Sequence, residues 1–151
     1  MTLNKTKGDI FSLIGYDIVF AIDATFECDV GICKQLNQKF NVQSILKAIP
    51  VENSKWKGKG YCASFTIGTQ TIHALVVKSL PNKIPDYDEI ENAIISLASS
   101  IKHKNSVITP KIAMPHICCG EYDKRDWNII EKMVENAFQD IDCEILIVDK
   151  N

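Results

Sequence analysis

Residues 17–36 read DIVFAIDATFECDVGICKQL, and the change of pattern within them decides the fold class. Residues 17–22 (DIVFAI) are almost continuously apolar, as a strand buried on both faces must be. From Gly31 the period changes, with Ile32, Cys33, Leu36 and Phe40 at i, i+1, i+4 and i+8 on one face of a helix. The same alternation continues downstream. Residues 42–48 read as a short second helix, and residues 51–60 (VENSKWKGKG) as a polar loop. In residues 61–67, Tyr61, Ala63, Phe65 and Ile67 point one way and Cys62, Ser64 and Thr66 the other, a half-buried strand. Gly68-Thr69-Gln70 then makes a tight turn, and residues 72–77 return as the second strand of a hairpin. Residues 86–102 carry Ile90, Ala93, Ile94, Leu97 and Ile101 on one helical stripe. Residues 111–114 form a short strand ended by Pro115. Asp123 begins a helix with Trp127, Ile130, Val134 and Phe138 inward, and residues 143–148 close as a buried strand. Strands alternating with helices, with one hairpin in the middle, predict an α/β fold, a mixed sheet flanked by helices.

Composition sets the bounds. The 151 residues suit one domain, residues 1–151, and a domain of that size buries roughly 70% of its unfolded surface without staples. Apolar residues make up 46%, charged residues 24%, and the net charge is −2, so no strong basic field marks a nucleic-acid protein. The first ten residues, MTLNKTKGDI, hold no apolar core of a signal peptide, and no apolar run approaches ~18 residues. A cytoplasmic protein off the membrane is expected, with the nucleus open in a eukaryote. In that setting Cys28, Cys33, Cys62, Cys118, Cys119 and Cys143 are expected to be reduced thiols. A zinc site is the alternative, but five-apart and adjacent cysteines have neither finger nor ribbon spacing.

Ligands of open α/β sheets bind beyond the carboxyl ends of the strands, which singles out three connections. The first, residues 23–31 (DATFECDVG), ends in a glycine at a helix start, where backbone N–H groups can approach a phosphate. A glycine there also simply makes a turn, and Asp29 repels phosphate unless it points away. The second, residues 114–123 (MPHICCGEYD), offers Gly120 for close backbone approach. Asp123 stands at the N-cap position with Asp126 three residues on, close to a capping box, so capping is its simplest role. The third is Lys78 at the end of the returning hairpin strand, where a solvated charge is the ordinary reading.

Taken together, these residues resemble the macro domain, and within it the terminal ADP-ribose protein glycohydrolase subgroup. Lys7-Gly8-Asp9-Ile10-Phe11 is similar to the macro-domain opening, in which the aspartate faces adenine. Val30-Gly31-Ile32, Lys39-Phe40 and residues 42–46 (VQSIL) resemble that subgroup's phosphate loop and helix. Met114-Pro115-His116-Ile117, Cys119-Gly120, Asp123 and Trp127 resemble its second loop and final helix. The likeness runs from about Lys5 to Val148. It implies a three-layer sandwich and catalytic roles for Lys78 and Asp123. The ligand-binding residues it implies are Asp9, Ile10, Asp23, Val30, Gly31, Ile32, Pro115, Ile117, Cys118, Cys119, Gly120 and Tyr122. The first loop is shorter than the subgroup's and has Asp29 and Val30 before its glycine. The second has Cys118 in place of glycine and one extra residue before Asp123.

The resemblance further implies hydrolysis of ADP-ribosyl bonds on protein carboxylates or DNA bases by a lysine nucleophile, in a monomer needing no metal or cofactor. Two rivals stand beside it: a non-catalytic ADP-ribose reader, and a deacylase or phosphatase of free ADP-ribose derivatives. Turnover of an ADP-ribosylated substrate separates the first rival from catalysis. Lys55-Trp56-Lys57-Gly58-Lys59 interleaves a ring with charges, a pattern able to stack on nucleic acid, although a solvated loop is the plainer reading.

Overall fold

The structure is a computed structural model that describes residues 1–49, 60–104, 107–120 and 123–150. The elements run β1 (Thr2–Lys7), a single 3-10 turn (Ile10–Ser12), β2 (Asp17–Asp23), α1 (Gly31–Phe40), α2 (Val42–Ala48), β3 (Tyr61–Ile67), β4 (Gln70–Lys78), α3 (Tyr87–His103), β5 (Lys111–Met114), α4 (Trp127–Phe138) and β6 (Glu144–Asp149). Six strands form one sheet in the order β1-β6-β5-β2-β4-β3. Every pairing is parallel except the β3–β4 hairpin. The expected mixed sheet between helical layers is thus the architecture observed.

The apolar runs explain the layers. In β2, Ile18, Phe20 and Ile22 pack with Leu36 of α1 and Val42 and Leu46 of α2. Val19 faces the other way, toward the α3 stripe (Ile90, Ala93, Ile94, Leu97, Ile101) and the α4 residues Ile130, Val134 and Phe138. β4 divides the same way, with Ile72, Ala74 and Val76 on the first face and Leu75 and Val77 on the second. A period of two thus serves two cores, so neither strand needs a polar face. Asn41, at a left-handed φ of +58°, ends α1 and starts α2. Asparagine tolerates that conformation better than other side chains. Gly60 enters β3 at φ +74°, where an added Cβ would lie 1.9 Å from the Glu89 carbonyl oxygen of α3. Only glycine lets the two backbones approach that closely.

Two features depart from expectation. β1 had no counterpart in the sequence reading. Its segment TLNKTK holds one apolar residue, half-buried Leu3, and pairs only with β6 at the sheet edge. Lysines suit an edge strand, because they discourage pairing with another chain. The last helix begins at Trp127 rather than Asp123, and Asp126 is its N-cap, accepting from Asn128 N at 2.9 Å. No helix among the described residues is long and apolar enough to cross a membrane.

His73 of β4 is buried, and its Nδ1 lies 2.6 Å from Ser64 Oγ on β3, while Nε2 has no partner among the described residues. Burial lowers its pKa to about 4; the nearby Asp17 opposes that shift and Lys104 reinforces it. The native state therefore holds His73 neutral, whereas the unfolded chain takes up a proton below about pH 6.5. Stability from this site is present above that pH and is lost as pH falls toward 4, by on the order of 3 kcal/mol. Urea unfolding across that range should show a steeper acid loss in the wild type than in His73→Leu. Equal slopes would remove His73 as the cause.

Candidate active site at the strand ends

The parallel strands β1, β2, β4, β5 and β6 all end on one edge of the sheet, and the connections leaving them gather there. At the β1 end, Asp9 Oδ1 accepts from Phe11 N at 2.9 Å and caps the short 3-10 turn, which places Ile10 in the core. Beside it opens a cavity of about 720 Å³, whose lining includes Asp9, Ile10, Ile32, Pro115, Lys39 and Lys150. Four expected ligand residues, Asp9, Ile10, Ile32 and Pro115, therefore share one concave surface. Lys78 and Asp123 do not line it.

At the β2 end, Asp23 is buried opposite Lys78, after a register shift between β2 and β4. Its Oδ2 accepts from Thr25 N at 2.8 Å and from Thr25 Oγ1, so this oxygen organises the turn that follows. Val30 is exposed and precedes α1 without offering a side-chain cap. Gly31 stands at φ +62°, in the left-handed region that favours glycine. Among the described residues no side chain caps the first N–H groups of α1, the condition under which a helix start receives an anion. The expectation of six reduced thiols is corrected here. Cys28 and Cys33 are joined in a disulfide, their Cα atoms 4.9 Å apart, because the loop folds back onto the first turn of α1. That separation lies within the range a disulfide spans. Cys62, Cys118, Cys119 and Cys143 are free.

The β5 end supplies the second loop. Ile117 and Cys118 are buried, Cys119 is half-buried and Gly120 is exposed. Cys118 adopts φ +60°, the left-handed conformation, at the position where the resemblance expects glycine. The chain then doubles back, with Lys124 N donating to Gly120 O at 2.9 Å and Arg125 N to Cys118 O at 2.8 Å. His116 stacks on Trp127 with ring centroids 4.7 Å apart. Tyr122 lies outside the described residues, as does the loop from Lys55 to Lys59.

The reversal sets Asp123 beside Lys78. Lys78 Nζ donates to Asp123 Oδ1 at 2.6 Å and to the Pro81 carbonyl oxygen at 3.0 Å. The two side chains are only 10% and 17% exposed, so the pair is sheltered rather than solvated. The ordinary reading of Lys78 as a surface charge is thereby corrected: a strand buried on both faces carries its stem inward. Asp123 likewise is no helix cap, since Asp126 takes that role three residues later. The sequence reading did not identify Pro81, whose carbonyl holds the amine. The only signal was a proline three residues beyond the strand end, which marks a turn but not its direction.

Neighbouring cysteines do not compete as nucleophiles. Burial pushes the Cys118 thiol far up, with Asp123 and Cys119 adding to it against Lys78 and Arg125. Cys119 is pushed up to about 11 by burial, then by Asp126 and Asp123. Both stay protonated near neutral pH, and the thiol is a weak nucleophile.

No protein-family model matches this sequence, and no curated protein matches it in sequence. Solved structures do. The macrodomain of Mycobacterium tuberculosis DarG aligns with a TM-score of 0.78 over 97% of this chain and 97% of its own, at 17% identity. The macrodomain of Thermus aquaticus DarG aligns at 0.79 with the same coverage and 15% identity. Thermosipho africanus DarTG in complex with ADP-ribose aligns at 0.76 over 97% of this chain and 41% of that one, at 12% identity. The chain has the macrodomain fold.

The cap assignment is directly testable. Asp126→Ala should cost roughly 1 kcal/mol in urea unfolding, the usual price of a lost N-cap. A silent Asp126→Ala would move the helix start back to Asp123.

Proposed function

We propose that this chain binds ADP-ribose along the strand-end cleft and hydrolyses ADP-ribosyl bonds with Lys78 as nucleophile and Asp123 as proton carrier. The observation that carries the proposal is the sheltered contact of 2.6 Å between Lys78 Nζ and Asp123 Oδ1 at the edge where such sheets bind ligands. The ADP-ribose complex of a similarly folded protein supports the choice of ligand.

Adenine lies in the cavity at Asp9 and Ile10. The diphosphate runs past the uncapped start of α1, at Gly31 and Ile32, to the loop of Ile117, Cys118, Cys119 and Gly120. The distal ribose then meets Lys78. Asp123 takes a proton from Nζ, and the freed amine attacks the anomeric carbon. The bond from that carbon to a carboxylate oxygen or base nitrogen breaks, and the leaving group departs with the electron pair and receives the proton from Asp123. Water then cleaves the bond between carbon and Nζ. One water is consumed, ADP-ribose is released, and the lysine is regenerated.

Lys78→Ala and Asp123→Ala should each lower hydrolysis by at least on the order of 100-fold, with ADP-ribose binding kept in at least one of them. Borohydride added to the wild type with ADP-ribose should reduce the imine formed with the open sugar, leaving an adduct on Lys78 for mass spectrometry. Full activity in Lys78→Ala would reject the lysine nucleophile, and binding without any turnover in the wild type would make the protein a reader. Asp9→Ala should weaken ADP-ribose binding by roughly 1–2 kcal/mol through a lost adenine hydrogen bond. Calorimetry with no heat at millimolar ADP-ribose would reject the ligand itself.

A further inference from the structure

The two members of the Lys78–Asp123 pair are carried by different connections. Residues 79–86 leave Lys78 for α3, and residues 115–126 lead from β5 through Asp123 to α4. These connections are fastened to each other a second time, by contacts other than the pair itself. Arg125 Nε donates to the Pro85 carbonyl oxygen at 2.8 Å, and its guanidinium lies 4.7 Å from the centroid of the Tyr87 ring. Asp126 N donates to the Tyr87 hydroxyl at 3.1 Å. The Arg125 backbone is itself fixed, because its N–H donates to Cys118 O.

Arginine is chemically suited to this double contact. Its flat guanidinium donates in its own plane while its face rests on a ring, which an ammonium group does not reproduce. The stakes lie in the reaction geometry. When a ribose enters, the direct contact between Lys78 and Asp123 must loosen so that each can reach a reacting atom. Something else must then keep the two connections together. A misplacement of about 1 Å at reacting groups costs on the order of 100-fold in rate.

We propose that Arg125 is a positioning residue, a strap from the Asp123 connection to the Lys78 connection that holds the pair in register during turnover. The proposal rests on the hydrolytic reading of Lys78 and Asp123.

Steady-state hydrolysis and ADP-ribose calorimetry on the full chain test it, using the wild type, Arg125→Met, Arg125→Lys and Tyr87→Phe. Arg125→Met should lower kcat by on the order of 10–100-fold, with KM and ADP-ribose affinity within about two-fold of the wild type. Arg125→Lys should restore little of that loss, since it keeps the charge but not the double contact. Tyr87→Phe, which deletes only the acceptor for Asp126 N, should lower kcat by a smaller factor at an unchanged melting temperature. A kcat kept in Arg125→Met, or fully restored in Arg125→Lys, overturns the strap. So does a parallel fall of kcat, affinity and melting temperature, which marks a general structural role. Were Arg125→Met not to fold, an unchanged kcat in Tyr87→Phe would overturn it. A wild type without turnover overturns the hydrolytic reading and the strap with it; an active wild type with unaffected variants overturns the strap alone.

Discussion

β4 is buried over seven consecutive residues, from Ile72 to Lys78, and the architecture follows from that constraint. A strand with no solvated face needs a neighbour on each edge and a helical layer on each side. β2 and β3 supply the edges, α1 and α2 one layer, α3 and α4 the other. Because β2 pairs with it in parallel, both strands finish on the same edge. Lys78 is the last residue of this buried run, so its amine emerges where the helical layers part. Its stem remains covered, and the amine is met by the Pro81 carbonyl and the Asp123 carboxylate.

Much of this was legible in the residues. The run DIVFAI reads as a strand because nothing in it prefers water, and the structure places it centrally. The α3 stripe, with its period of 3.6, and the alternation of β3 ahead of the turn at Gly68 were equally plain. β1 was not legible, because an edge strand covered on little of its surface needs no apolar alternation. The start of α4 was misplaced for a different reason. Asp123 and Asp126 are both good caps, and only the backbone distinguishes them: Lys124 at φ +51° turns the chain before the helix begins.

The site was legible in its parts and not in its joints. Asp9 with Ile10, Ile32 and Pro115 come from three separate segments yet line one cavity. The pairing of Lys78 with Asp123 spans 45 residues, and no local pattern reveals such a contact. Cys118 shows the reverse case. Its left-handed backbone supplies a physical reason for glycine at that position in the resembling subgroup. The disulfide between Cys28 and Cys33 escaped the reading because it depends on the first loop folding back onto α1, which a spacing of five residues between two cysteines does not reveal.

The central claim is that one ligand spans from the cavity at Asp9 to the pair at Lys78. A crystal structure of the protein with ADP-ribose tests it most directly. The account predicts adenine against Asp9 and Ile10, the diphosphate at the start of α1, and the anomeric carbon of the distal ribose about 3–3.5 Å from Lys78 Nζ. A distal ribose turned away from Lys78, with Nζ still closed on Asp123, would contradict it.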